Sequence, residues 1–387
     1  MIRRFIYSIF AALFFIGVAV AQDVSVRSDH PDEYVVVKGD TLWDISGRFL
    51  DKPWQWPAIW HANPQIENPH LIYPGDVVSL VYVDGVPQLR VNRGGTKKLS
   101  PSVRVSDRDA IYAIPYDKIK PYIRTIQVLS PEDYEGLPYI VANNDQRHNA
   151  TNSDQTYARG LDAQVGQEYA IARLSNIYDD MGDGQIRRVL PKDGWKQVQN
   201  VWDSQEDIFN TVSPWNRRPK NPVGYEMVVV SRVRVAQAGE ISVLDIIQDR
   251  TEVKPGDLIL PWQDEGYESV FYPKAMDTVP EGLRVLATSG QKSGVGLYSI
   301  IAMNGGSNDG IEPGHVFAAF RKGAVMADEV GYREGSFSKD AEVRLPEVYD
   351  GIVMVFRTFD DISYAMVMGG SRVVAEYDVL RHPDMRP

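Results

Sequence analysis

The chain has 387 residues, a net charge of −11, 43% hydrophobic and 24% charged residues, and no cysteine. That balance suits a folded chain of two or three domains at about 100 to 200 residues each. It excludes disulfides, thiol nucleophiles and lipid-modified cysteines, and an acidic chain lacks the basic face expected of a nucleic-acid or anionic-lipid binder.

Met1 to Ala21 joins Arg3 and Arg4 to an apolar run from Phe5 to Val20 and the small-x-small triplet Ala19-Val20-Ala21. This is the pattern of a secretory signal peptide cleaved after Ala21, with an uncleaved anchor as the alternative. The run is short for a bilayer span of roughly 20 residues, and no later segment offers a transmembrane candidate. Cleavage takes 21 residues and two arginines from 387 and −11, leaving 366 residues carrying −13. Residues 22–32 then form a linker.

In "EYVVVKGDTLWDISGRFL" the β-branched run Val35-Val36-Val37 predicts a strand. Lys38-Gly39-Asp40 predicts a turn, and Leu42, Ile45 and Phe49 at i, i+3, i+7 predict a helix. Thr41 and Asp44 fit a capping box at its start. A second helix begins near Pro57, whose missing N–H costs nothing in a first helical turn, and stops by Asn63-Pro64. Pro74-Gly75 turns the chain into a second strand from Val77. The order is strand, helix, helix, strand over 33–82.

These residues resemble the lysin motif (LysM) family: Tyr34-x-Val36-x-x-Gly39-Asp40-Thr41-Leu42-Trp43-x-Ile45, then Asn63-Pro64, then Leu71-Ile72-Tyr73-Pro74-Gly75-Asp76. The resemblance implies a domain that binds N-acetylglucosamine glycans, chiefly peptidoglycan and chitin, in a shallow groove between two loops. By position it implies Gly39, Asp40, Thr41 and Leu42 on one wall and Asn63, Pro64, Ile66, Leu71, Ile72 and Tyr73 on the other. "LDKPWQWPAIW" is inserted between the helices relative to the commonest pattern. A unit this small needs large side chains to build a core, so Trp60, beside Ile59, reads as core. Trp54 and Trp56 alternate with polar residues, and one of them reads as facing outward, as a groove extension or a contact to the next domain. His61 and His70 lie near the groove. The six histidines show no metal-ligand spacing, so no metal or cofactor is implied.

Beyond Val81, short β-branched and aromatic runs separated by Gly, Pro, Asn and Asp predict an antiparallel all-β region of small barrels or sandwiches, making the whole chain α+β. The expected division is a β-rich domain at 83–202, an irregular linker at 203–222 and a second β-rich domain at 223–387. Ser130-Pro131-Glu132 opens a short helix or a turn before a strand at Tyr139–Ala142. "GIVMVFRTFDDISYAMVMGG" predicts a hairpin around Phe359-Asp360-Asp361. "IYPGDVVSL", "VKPGDLILP" and "IEPGHVFAAF", with "AQVGQEYAIARL" as a looser copy, share a Pro-Gly-type turn released into a strand. The spacing of Gly75, Gly166, Gly256 and Gly314 is uneven, which favours a shared turn device over a duplicated module. "NGGSNDGIEPGHVF" is similar to a turn in small β-barrel modules of bacterial envelope and flagellar accessory proteins. "PWQWPAIWHANPQIENPHLIYPGD" and "GIVMVFRTFDDISYAMVM" resemble exported LysM proteins of Gram-negative proteobacteria, which implies a periplasmic location.

The catalytic motifs are missing: no H-x-H or H-x-x-x-D for zinc, no G-x-S-x-G elbow and no phosphate loop. "YDDMGDGQI" places Met181 at the third and Leu190 at the twelfth position of a calcium loop, so it reads as a hairpin turn. The expected function is non-catalytic: a peptidoglycan-binding adaptor or scaffold whose β-rich region meets envelope proteins. The alternative is a wall hydrolase or transglycosylase using a carboxylate pair in that region.

Overall fold

The computed structural model describes residues 24–60, 72–92, 119, 122, 125–144, 149–180, 182, 186–189, 221–262, 271–288, 294–327 and 342–385. The first unit runs β1 (Glu33–Val35), α1 (Leu42–Phe49), a 3-10 turn (Pro53–Gln55), α2 (Trp56–Ile59), β2 (Val77–Val83) and β3 (Val86–Asn92). Thr41 caps α1 through the expected box: its hydroxyl accepts from the Asp44 N–H at 3.1 Å, and the Asp44 carboxylate accepts from the Thr41 N–H at 3.2 Å. The unit is one hairpin longer than the 33–82 expected, because β3 pairs with β2 from Val77–Asn92 to Val83–Val86 in a three-stranded sheet. The two residues Asp84-Gly85, both at positive φ, form the Asp-Gly hairpin turn that joins them.

The second unit begins with β4 (Ile126–Leu129), the expected short helix α3 (Pro131–Tyr134) capped by Ser130, and β5 (Tyr139–Asn143). It continues with β6 (Gln155–Arg159), β7 (Glu168–Asp180), β8 (Ile186–Val189), β9 (Pro222–Gln237), β10 (Ile241–Asp249) and β11 (Leu258–Pro261). The expected linker at 203–222 does not separate two β domains, since β7 and β9 pair along eleven registered positions from Glu168–Arg234 to Asp179–Pro222. That pairing closes a six-stranded barrel in the order β9, β10, β6, β5, β11, β7, with β4 and β8 as extensions. Ile140, Ala158, Ile171, Val233, Leu244 and Ile259 are among the side chains packed in one core between its strands.

The third unit carries β12 (Lys274–Ala275), β13 (Val285–Thr288), β14 (Ile300–Asn304), β15 (His315–Arg321), β16 (Val325–Ala327), β17 (Glu342–Arg344), β18 (Val348–Thr358), β19 (Ile362–Gly370) and β20 (Val379–Arg381). The expected hairpin is β18–β19. A bridge between Arg284 and Val379 brings β13 beside β20 and closes a second ring, β18, β19, β14, β13, β20, β15. Substituting β13, β14, β15, β18, β19 and β20 for β5, β6, β7, β9, β10 and β11 reproduces every neighbour relation of the first barrel. The β-rich region is one barrel topology used twice.

The turns repeat with the strands. At Lys254–Asp257 the Asp257 N–H donates to the Lys254 carbonyl, and the Asp257 carboxylate accepts from the Lys254 N–H at 2.7 Å. Gly256, at φ 90, donates to the Ile140 carbonyl, and the Ile140 N–H donates to the Asp257 carbonyl. Its counterpart in the second barrel is Ala375–Asp378, with Tyr377 at φ 70 docked on Val285 in the same way. Gln164–Gln167, docked on Val235, matches Glu312–His315, docked on Val355. Thr151–Asp154, docked on Ile246, matches Gly296–Ser299, docked on Val367.

The strands of the second barrel are apolar on both faces. Ile301, Phe317, Val353 and Val367 fill the interior, while Ile300, Val316, Ile352, Met354 and Met366 join a core outside it. A strand covered on both sides reads as a continuous apolar run rather than an alternating one, as "GIVMVF" does. The cover comes from the other two units: Trp43 and Trp54 from the first, Ile126 and Tyr178 from the second.

Candidate functional site

Val36 joins two turns at one end of the small sheet. Its N–H donates to the Asp76 carbonyl at 2.9 Å, and its carbonyl accepts from Gly75 at 2.8 Å. The turn Tyr73–Asp76 is thereby fixed beside β1, while Val37–Asp40 follows Val36 directly. Both are the turn device seen in the barrels: Asp76 accepts from the Tyr73 N–H at 3.0 Å and Asp40 from the Val37 N–H at 2.8 Å. Asp40 also takes the Tyr34 hydroxyl at 2.8 Å, and the Arg48 guanidinium lies 4.3 Å over the Tyr34 ring. Burial, then the Asp40 carboxylate, raises the Tyr34 pKa.

The residues carried over by resemblance divide in three. Gly39 is exposed, and Asp40 and Tyr73 are half-buried. Thr41, Leu42 and Ile72 are buried, Leu42 and Ile72 within the small core. Asn63, Pro64, Ile66 and Leu71 lie outside the described residues, as do His61 and His70. What the described wall presents is turn backbone at Lys38-Gly39 and Pro74-Gly75, flanked by the Tyr73 ring and one carboxylate. Peptide N–H and C=O groups beside an aromatic face match the hydroxyls, acetamide and apolar ring faces of an uncharged sugar.

No tryptophan of the inserted segment faces outward. Trp56 and Trp60 meet edge to face at 6.1 Å in the small core. Trp54 lies 6.4 Å from Trp43, and both are buried against the second barrel. The expectation of a groove extension by Trp54 or Trp56 is thus corrected: at 3% and 1% exposure neither offers a ring face to a sugar. Trp54 meets the second barrel instead, a partner further along the chain than the next domain. Alternation with polar residues misled because 53–55 form a 3-10 turn rather than a strand.

The C-terminal unit also contacts the first unit directly. The Tyr298 hydroxyl donates to Asp44 at 3.1 Å, the Tyr272 ring lies 5.8 Å from Trp56, and Lys52 pairs with Asp384 at 2.6 Å. Nothing in the residues around Tyr298 marks it as a neighbour of Asp44.

A strand–helix–helix–strand unit with two docked turns at one end defines the class of this part of the chain. Residues 34–80 match the family model for the LysM domain, so this part of the chain is a LysM domain. It is also similar to an uncharacterized Bacillus subtilis (strain 168) protein, YqbP, at 37% identity over 60 residues. That similarity covers 13% of this chain and 27% of YqbP, so the chain spans about a quarter of that relative. Among the described residues no helix is long and apolar enough to cross a membrane, and no three His, Asp or Glu side chains are grouped to hold a metal ion.

Proposed function

We propose that the protein binds N-acetylglucosamine glycan of peptidoglycan through its LysM unit and serves in the periplasm, after signal cleavage, as a non-catalytic adaptor or scaffold. The observation that carries this is the LysM match over 34–80 together with the two turns that Val36 holds side by side. Gly39, Asp40 and Tyr73 supply the accessible part of the site, with Asn63, Pro64, Ile66 and Leu71 assigned to its other wall. The barrels support a scaffold role, since their strands are spent on two cores and on the seat of the LysM unit. A hydrolase needs two carboxylates flanking a cleft. One close carboxylate pair among the described residues, Asp350 and Asp378, is buried beside Arg321, with Asp378 closing a turn.

The test uses the whole mature chain. It pellets with insoluble sacculi, and soluble N-acetylglucosamine oligomers release it. Pelleting indifferent to the oligomers overturns the reading, and release of soluble muropeptides during the assay establishes the hydrolase alternative.

A further inference from the structure

The matched turns of the two barrels provide a comparison within one molecule. Ser153 and Tyr298 occupy the same place, third in a turn before the second barrel strand, at φ 73 and φ 60. Each docks on an equivalent strand, Ser153 on Ile246 and Tyr298 on Val367. The turn itself is therefore satisfied by serine, and left-handed backbone disfavours a bulky side chain. What the tyrosine adds is reach: its hydroxyl donates to Asp44 Oδ1 at 3.1 Å.

Asp44 is the hinge of the LysM capping box. Its other oxygen, Oδ2, accepts from the Thr41 hydroxyl at 2.7 Å and from the Thr41 N–H. Thr41 directly follows the Gly39-Asp40 turn, whose exposed backbone forms the described wall of the site. One carboxylate thus joins a residue of the second barrel to the site, across 254 positions of sequence. Trp43, next to Asp44, is anchored on the same barrel through the shared core. The Tyr298 hydroxyl is pushed up to about 12 by burial and then by Asp44, with Asp40 adding to it, so it remains a donor at neutral pH.

We propose that Tyr298 is a positioning residue of the glycan site: from the second barrel it locks Asp44, and through the Thr41–Asp44 box it holds the 39–42 wall in its binding geometry. This rests on the glycan-binding reading. The LysM unit is then a part of the barrel's surface with a fixed orientation rather than a tethered reader, and the C-terminal unit tunes its affinity.

Tyr298→Phe in the full mature chain keeps the ring and removes the hydroxyl. Two readouts are compared with wild type. Affinity for soluble N-acetylglucosamine oligomers should fall about three- to tenfold, the range of one lost hydrogen bond relayed through a neighbour. Peptide-resolved hydrogen exchange should quicken by a similar factor across 41–45 while the β2–β3 hairpin, 77–92, keeps its wild-type rates; a general loss of stability would quicken both. Wild-type binding that the variant leaves unchanged, or exchange at 41–45 that does not respond, overturns the positioning role alone. A wild-type chain that binds no oligomer overturns the glycan reading and this role with it. Tyr298→Leu, which also loses ring packing, should weaken binding no less than Tyr298→Phe, and a stronger binder overturns the proposal.

Discussion

Tyr364 of the second barrel donates its hydroxyl to the Glu226 carboxylate of the first at 2.5 Å, with both side chains fully buried. Tyr178 donates to the same carboxylate at 2.6 Å and Asn176 at 2.6 Å, so a buried acid is satisfied by three donors from two units. Burial and the Glu226 charge raise both tyrosine pKa values well above the usual phenol range. A carboxylate this deep is tolerable because its lone pairs are taken. Glu226→Ala removes the shared acceptor of three donors, partly offset by the contacts Asn176 makes to Ser175 and the two tyrosine hydroxyls make to each other, and should cost about 3 to 5 kcal/mol in urea unfolding. Tyr364→Phe removes one charge-assisted bond and should cost about 1.5 to 3 kcal/mol. A Tyr364→Phe midpoint equal to wild type would show that the joint contributes nothing to holding the barrels together.

The repeated turns give a graded test of backbone strain. Gly256 and Gly314 share the left-handed conformation, yet a Cβ at Gly256 meets nothing within 4 Å, whereas one at Gly314 would sit 2.3 Å from the Tyr272 carbonyl oxygen. Gly256→Ala should therefore cost about 1 to 2 kcal/mol, the left-handed penalty alone. Gly314→Ala should cost clearly more, because a backbone carbonyl cannot rotate away as a side chain can. Thermal unfolding of the two variants side by side checks the order, and equal losses would refute it.

These turns also show why part of the fold is legible in the sequence and part is not. The LysM unit rests on local signals, such as Thr41 with Asp44 and Pro74-Gly75 before Val77, each acting within a few residues. The barrels are legible as strands and turns, but their duplication is concealed. Left-handed positions filled by Ser153, Tyr298 and Tyr377 break the glycine pattern, and segments of different length inserted between the strands break the spacing. Asp154 and Asp378 remain as the readable trace, since the fourth residue closes the turn through its carboxylate. At the proposed site, Gly39, Asp40 and Tyr73 are placed by the turns that name them. The contact between Tyr298 and Asp44 depends on tertiary packing that no local pattern encodes.

Trp54 tests whether the inserted segment is architecture. Its ring fills the junction between α1, through Trp43, and the outer face of the second barrel. Trp54→Ala opens a cavity there and should cost about 3 to 5 kcal/mol. Sacculus pelleting below the unfolding temperature should stay near the wild-type level. A variant of unchanged stability that loses pelleting would return Trp54 to the glycan site.

Asp378 links the second barrel to pH. Burial, opposed by the Ala375 N–H and reinforced by the Asp350 carboxylate, lifts its pKa to about 6, with Arg321 pulling it down. In the unfolded chain an aspartate titrates near 4, at about 3.9. The folded state therefore holds a proton that the unfolded state has released between about pH 4 and pH 6, and stability falls as pH rises through that window. The contribution is fully present below pH 4 and lost above about pH 6. Asp378→Asn keeps an acceptor for the Ala375 N–H but removes the titrating group. Urea midpoints measured at pH 4, 5, 6 and 7 should decline less steeply for the variant than for wild type, the gap opening between pH 4 and 6. Parallel curves across that range would assign the wild-type slope to other carboxylates.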